Sequence, residues 1–500
     1  MPRKIPRLLW LAVPLAFLLY FYHIGSTGVL GPDEPRYASI GREMARSGDW
    51  ITPRLWGKAW FEKPPLLYWM TGAAFLSGVG PDLAPRLPVA ILAVGFLAFL
   101  WWILTREFNG RVASMAVLIL GTSVGWQALG QAGVTDLPLA ATFSAAMLLA
   151  LPWISKGDGR YLPVSAGLMG LAVLAKGPAP LILALPVVLR GRQVRDLLRW
   201  RVVIPFLAVA LPWYVLCYLR NGDVFFKEFL LKQNVERFTS AQVIQHGYPW
   251  WFFAPVLAGG LLPWLPLAAV TAVRTGWSDS RKKFLAAWAI WVLLFFSISA
   301  NKLPAYILPM LPAAAVLMAL ALDELPKASW WLAGCALPLV IFPIAAPLLP
   351  VAIEFGLSHT AWPRFEAAWL YPLCVAAMAW LADWRGRRLA ATAFVAAGVA
   401  IGTAGVKEAA VPALREMPSP KVLWLKVAPH ADEVCLDHVD RNWAYGLNYY
   451  AGRALPECSE HATPWQVRQQ KGHAPWLAVP EFSPEMRPAF TRGGNSDGAR

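Results

Sequence analysis

Apolar runs long enough to cross a bilayer, separated by short loops rich in Lys and Arg, recur along this chain from near its start to about residue 405. Hydrocarbon offers a backbone no partners, so each such run must be a helix that satisfies its own N–H and C=O groups. The runs are 8–24, 87–105, 111–128, 136–154, 161–175, 178–190, 201–219, 250–272, 284–300, 303–322, 330–350, 367–382 and 388–405. At around 20 residues per crossing they make about thirteen spans. A composition that is 57% hydrophobic, with 27 Trp among 500 residues, excludes a water-soluble globular domain. A formal charge of +15 would point to nucleic acid in a soluble protein. Here the cations collect in the short loops, the bias that orients a membrane protein, and no nucleic-acid partner is implied.

Loop charge also settles the one ambiguous run, Leu66 to Val79, which opens on Pro64-Pro65 and is interrupted by Gly72 and Gly78. If it stays at the interface, the loops 106–111, 156–160, 190–201, 274–283, 323–329 and 383–388 all fall on the side of the N-terminus, and nearly all basic clusters with them. Counting it as a span would place those clusters outside. Met1 to Ile24 is basic and then apolar like a signal peptide, but no small-x-small site precedes the charged loop, so a retained first helix with a cytoplasmic start is expected. An odd number of spans then puts residues 407–500 outside. There VLWLKV, DEVCLDH and NWAYGLNYYAG suggest a small α/β domain that ends in a loose tail beyond about Glu481. Cys435 and Cys458 lie in that oxidising compartment and are expected to form a disulfide, the alternative being two free thiols. The fold class is therefore an all-α polytopic membrane protein over residues 1–406, with outer loops at 31–82 and 220–249 and a small outer domain over 407–500.

The same topology brings a limited set of ionisable groups to the outer face. Gly31 to Pro65 is the densest run of charge in the first half of the chain and holds Asp33, Glu34, Arg36, Glu62 and Lys63. Asp136, Lys176, the loop with Lys227, Lys232, Arg237 and His246, and then Lys302 and Tyr306 come from other hairpins. A bundle closing around one cavity would bring them together, as a functional site requires. Asp33-Glu34 before Pro35 reads equally as helix capping or as a carboxylate acting as base. Asp136 after Thr135 poses the same choice. Glu62-Lys63, framed by Trp60-Phe61 and Pro64-Pro65, is harder to explain as structure, and Lys63 suits a phosphate. His246, in QHGYPWWFF, is either an interfacial histidine or a metal ligand with Glu62 as its carboxylate partner.

The string DEPRYASIGREMARSGDWITPRLWGKAWFEKPPLLYW resembles the first external loop of the aminoarabinose transferases that modify lipid A, within the protein O-mannosyltransferase-like superfamily of C-type glycosyltransferases. TDLPLA, LAKGP, ERF…QHGYPWWFF and NKLPAYILPMLP extend the resemblance from about Leu30 to Leu322. It implies a membrane glycosyltransferase of the C-type fold that takes a sugar from an undecaprenyl-phosphate carrier at the periplasmic face of a bacterial inner membrane. The acceptor it implies is lipid A or another envelope molecule. By matching position, Asp33 becomes the catalytic carboxylate, with Glu34 and Asp136 as further acidic site residues. Lys63, Arg36, Tyr306 and Lys302 become ligands of the lipid phosphate. Glu62 and His246 become a pair holding a divalent cation, zinc, and no nucleotide cofactor is implied. An enzyme glycosylating exported proteins, a polysaccharide polymerase or ligase, and a lipid transporter are the alternatives.

Overall fold

The computed structural model describes residues 12–190, 194–229, 247–274, 277–355, 361, 363–416, 419–461, 463–470 and 473–478. Lys232, Arg237, His246 and the tail beyond Glu481 lie outside the described residues. Among the described residues seven helices are long and apolar enough to cross a bilayer, or eight if the bent pair Trp250–Gly260 and Leu265–Ala272 is one span. The apolar runs are thus helical, but several are broken. The run 111–128 is Gly110–Thr122 followed by Val124–Leu129. The side chains of Thr122 and Ser123 at that break turn back to the carbonyls of Leu118 and Ile119, at 2.5 and 2.6 Å, a local competition that bends helices. The run 250–272 turns through 119° between its halves, where Gly259-Gly260 and Pro263 weaken or remove helical bonds.

The Asp136–Leu149 helix is the centre of the bundle, buried from Leu137 through Leu149. Trp200–Phe225 runs at the periphery and exposes Ile204, Leu207, Leu211, Val215 and Leu219, an apolar face suited to lipid. The basic loops meet at one end. There Arg111 pairs with Asp323 at 2.5 Å, Arg281 donates to the Glu107 carbonyl, and Lys282 pairs with Glu324. Asp383, buried, accepts from Arg388 Nε at 2.8 Å and from Ser329 Oγ at 2.8 Å.

The other end is covered by the first charged loop. Asp33–Ser47 forms a helix with Asp33 and Glu34 in its first turn, where the helix dipole favours anions. It stops at Gly48, which takes φ 72° while its N–H bonds the Met44 carbonyl. Leu66–Leu76 is a helix of 11 residues, roughly 17 Å long at 1.5 Å per residue and so too short to cross. It packs on the Asp33–Ser47 helix where Gly41 meets Gly72. A Cβ on either would sit 2.9 Å from the other helix, against the Tyr68 carbonyl or the Gly41 carbonyl. Between the two helices, β1 (Arg54–Leu55) pairs antiparallel with β2 (Lys58–Ala59) across a turn at Trp56-Gly57, both with positive φ as a two-residue hairpin turn demands.

Beyond residue 419 a small unit forms around Leu423, Val427, Val434, Leu436, Leu447 and Val467. Its sheet runs β3 (Val434–Asp437), β4 (Trp465–Arg468), β5 (Trp476–Ala478), with β3 parallel and β5 antiparallel to β4. Cys435 and Cys458 are bonded in a disulfide. The unit docks on the charged loop by its helix Arg441–Ala451. Asp82 accepts from Tyr450 Oη at 2.9 Å and Lys421 Nζ at 2.5 Å, and Tyr449 Oη donates to the Pro81 carbonyl at 2.6 Å.

Candidate active site

Arg36 organises the charged loop. Its residue is only 3% exposed, and its guanidinium faces two carboxylates from different segments: Nη2 donates to Asp33 Oδ1 at 2.5 Å, while Nη1 and Nη2 lie 3.1 and 3.3 Å from the two oxygens of Glu62. The second contact is the fork-on-carboxylate geometry that only arginine provides. Tyr37, Trp60 and Tyr445 surround the guanidinium with ring centroids at 5.1, 5.9 and 6.0 Å, a cation-favouring wall. Burial alone would lower the Arg36 pKa, but Glu62, then Tyr37 and Asp33, outweigh it and hold it above its ordinary value. The same burial, followed by Glu62 and Asp33, pushes the Tyr37 hydroxyl well above its usual range, so it stays a neutral donor. Lys63 Nζ lies 3.5 Å from Glu62 Oε1.

The expected residues divide into three groups. Asp33, Arg36, Glu62 and Lys63 meet as described. Asp136 opens its helix without making a cap bond and instead accepts from Lys176 Nζ at 2.5 Å. Lys176 lies 4.7 Å from the centroid of the Tyr306 ring and is near enough to Asp33 to feel its charge. Asp136, Lys176 and Tyr306 therefore form a second cluster beside the first. Lys176, on the outer face by topology, had no role from its sequence context; its pairing with Asp136 supplies one.

Glu34 and Lys302 are engaged within the chain. Glu34 is 4% exposed, and both its oxygens are fully engaged. Oε1 accepts from Arg86 Nε at 2.7 Å and the Gly133 N–H at 2.9 Å; Oε2 accepts from Arg86 Nη2 at 2.7 Å and the Leu30 N–H at 2.8 Å. A carboxylate so occupied is a clamp joining three segments, with no acceptor left for chemistry. Arg86, a lone cation at the head of an apolar run, was the overlooked partner. Lys302, also buried, donates to the Ser299 carbonyl at 2.6 Å; it satisfies the end of the Ser280–Ile298 helix.

Among the described residues no group of three or more His, Cys, Asp and Glu stands close enough to hold a metal ion. Both oxygens of Glu62 face Arg36, and His246, its expected partner at a cation, lies outside the described residues.

What the arrangement can do follows from its charges. Two cations, Arg36 and Lys63, stand on either side of Glu62, and Arg36 also holds a carboxylate, Asp33, whose side chain is 48% exposed. Such a set of charges can stabilise a phosphate leaving group through its cations and activate an acceptor hydroxyl through its carboxylate. Residues 62–218 match the family described as dolichyl-phosphate-mannose-protein mannosyltransferase. The undecaprenyl phosphate-alpha-4-amino-4-deoxy-L-arabinose arabinosyl transferase 2 of Pseudomonas fluorescens is 35% identical over 324 residues, 61% of this chain and 54% of that protein. The corresponding transferase of Pseudomonas aeruginosa is 34% identical over 323 residues, 61% of this chain and 58% of that one. The chain thus spans between half and two thirds of the length of these curated relatives. The crystal structure of ArnT from Cupriavidus metallidurans bound to undecaprenyl phosphate superposes with a TM-score of 0.71 at 25% identity, covering 92% of each chain, so the two share a fold.

Proposed function

We propose that this chain, sharing its fold with ArnT and sequence similarity with aminoarabinose transferases, is a membrane glycosyltransferase that moves a sugar from an undecaprenyl-phosphate carrier to lipid A or another envelope acceptor. The observation that carries the reading is Arg36, buried and charged, bridging Asp33 and Glu62 with Lys63 beside them. In such a transfer the anomeric C–O bond breaks and its electron pair goes to the carrier phosphate. Lys63 and Arg36 stabilise the negative charge that develops there, and fixed charges in a water-poor site are worth more than the same charges in water. Asp33 Oδ1 is held by Arg36, which orients the carboxylate and turns Oδ2 to the acceptor hydroxyl as general base, in one displacement with inversion. Asp136 and Lys176, with Tyr306, line the adjoining wall. The divalent cation assigned to Glu62 and His246 by resemblance stands as a proposal, and no step here runs through it. The end bearing the charged loop is assigned to the periplasm and the basic end to the cytoplasm of a bacterial inner membrane, on the strength of the loop charges.

The test is mass spectrometry of lipid A and total lipids from cells with and without the gene, beside a Lys63→Ala control. A sugar-sized mass present only with the active protein is expected. Lys63→Ala should reduce it by roughly two to three orders of magnitude, as for other removed transition-state cations and donors. A sugar mass found on exported proteins instead of lipid would support the mannosyltransferase-like reading that the family match favours. Transfer undiminished in Lys63→Ala would remove the phosphate site from the mechanism.

A further inference from the structure

A cavity of about 170 Å³ that Trp56 helps to line, without Arg36, lies between the Asp33–Ser47 helix, the β1–β2 hairpin and the C-terminal unit. Almost every polar group that lines it is a donor. Arg42 and Arg46 come from the helix and Arg453 from the C-terminal unit. Arg42 is pinned by donating to the Tyr449 carbonyl and by lying over the Tyr449 ring at 4.7 Å. Arg453 is held by the Ala431 carbonyl and Asp432. Ser39, 3% exposed, has its Oγ buried without a hydrogen-bond partner among the described residues, and so has the indole Nε1 of Trp56. An indole N–H can only donate, and a buried donor left unpaired costs free energy that a ligand acceptor would recover once a small shift of the wall exposed it. The one carboxylate in the lining, Glu43, has both oxygens accepting from the Gly57 N–H at 3.1 and 3.2 Å, which leaves the three arginines in excess.

One further feature suits a built site. Gly452, at φ 75°, leaves open the space where a Cβ would lie 3.3 Å from Arg46 Nη1 and 3.8 Å from Arg42 Nη2. Burial first, and then the like charge of Arg46, draw the Arg42 guanidinium below its ordinary pKa against the opposing pull of Tyr449 and Glu43. An anion between the two arginines would relieve that repulsion.

We infer that this cavity is a second anion site, separate from the carrier-phosphate site, and that it takes a water-exposed phosphate group, esterified or free. The Arg46 guanidinium, with the remaining N–H groups of Arg42 and Arg453, matches an anion with several tetrahedral oxygens better than a two-oxygen carboxylate. That phosphate group can be the monoester of a glycolipid headgroup or the free inorganic ion. If it is a headgroup, the cavity seats the acceptor near the reacting centre, to which the Trp56–Tyr445 ring pair connects it, a role that rests on the transferase reading above.

Binding to the full-length purified protein in nanodiscs would be followed by calorimetry with three probes: inorganic phosphate, glucosamine 1-phosphate as a soluble headgroup mimic, and undecaprenyl phosphate. The variants are Arg46→Gln/Arg453→Gln and the milder Trp56→Phe, which keeps the ring and removes the N–H. Loss of several charge-assisted bonds should weaken the soluble phosphates about tenfold or more in the double variant, and more modestly in Trp56→Phe. Undecaprenyl phosphate should bind all forms alike. If both soluble probes bind, the site takes a headgroup; if only inorganic phosphate binds, it takes the free ion. Soluble phosphates that fail to bind wild type, or bind the variants equally well, would overturn the inference, as would loss of undecaprenyl phosphate in the double variant. Wild type that binds soluble phosphate here but not undecaprenyl phosphate would sink the transferase reading and leave this site standing.

Discussion

Asp33 and Glu34 are neighbours in sequence and opposite in use. Asp33 is about half exposed and gives one oxygen to Arg36, whereas Glu34 is buried with both oxygens shared between Arg86 and two backbone amides. Asp33→Asn should therefore fold normally and lose transfer by roughly 10²–10⁴, the usual worth of a general base. Glu34→Ala should do the reverse in origin: it strands the Arg86 charge in a buried site, a cost of about 3–5 kcal/mol. Thermal unfolding of the purified proteins separates the two. An unchanged melting curve for Glu34→Ala would show that the clamp is dispensable, and a lowered one for Asp33→Asn would mean its loss of activity is structural. Sequence alone could not assign these roles, because the tandem Asp-Glu before a proline fits a cap and a base equally well. What separates them is Arg86, which is 52 residues away from Glu34, and such a partner leaves no local signal. Glu62-Lys63 was legible for the converse reason: two charges inside a rigid aromatic and proline frame have few structural uses.

The elements were legible where length and charge decide. Leu66–Leu76 is too short to cross and packs on the loop helix, as its prolines, glycines and the balance of loop charge require. Breaks inside apolar runs were not legible, since hydropathy stays high through the turn at Gly259 to Pro263 while the helix axis bends by 119°. Side-chain back-bonding at Thr122 and Ser123 is equally invisible to a hydropathy window. In the C-terminal unit the small core of Leu423, Val427, Val434, Leu436, Leu447 and Val467 is supplemented by the Cys435–Cys458 disulfide, which closes a loop with a sequence separation of 23. A bridge of that span is worth about 3 kcal/mol, a large share of what so small a core can supply. Cys435→Ser/Cys458→Ser should accordingly make residues 419–478 open to limited proteolysis while the bundle stays resistant. Equal protease resistance in the variant would mean that docking through Asp82, Tyr449 and Tyr450 suffices to hold the unit folded.

At the scale of the whole molecule the bundle has two chemically different ends. Asp33, Arg36, Glu62, Asp136, Lys176 and Tyr306 gather at one. Arg111 with Asp323, Lys282 with Glu324 and Arg388 with Asp383 lock the loops at the other. The central span Asp136–Lys156 has 21 residues, about 31 Å at 1.5 Å per residue, enough to carry Asp136 at the site end to Lys156 at the basic end across a hydrocarbon core. If the site end faces the periplasm, Lys58→Cys, exposed in the hairpin over the site, should react with a membrane-impermeant maleimide added to intact spheroplasts. Lys156→Cys, exposed at the opposite end, should react only after lysis. The background is limited, because Cys435 and Cys458 are bridged, Cys217 and Cys335 are buried, and the exposed Cys374 can be replaced by Ala. The two positions report on each other: reversal of both would invert the orientation and put the site on the cytoplasmic side, out of reach of a periplasmic acceptor. Labelling of both from outside would mean that the Asp136–Lys156 helix does not cross, and the partition of charge between the two ends would then need another cause than the membrane.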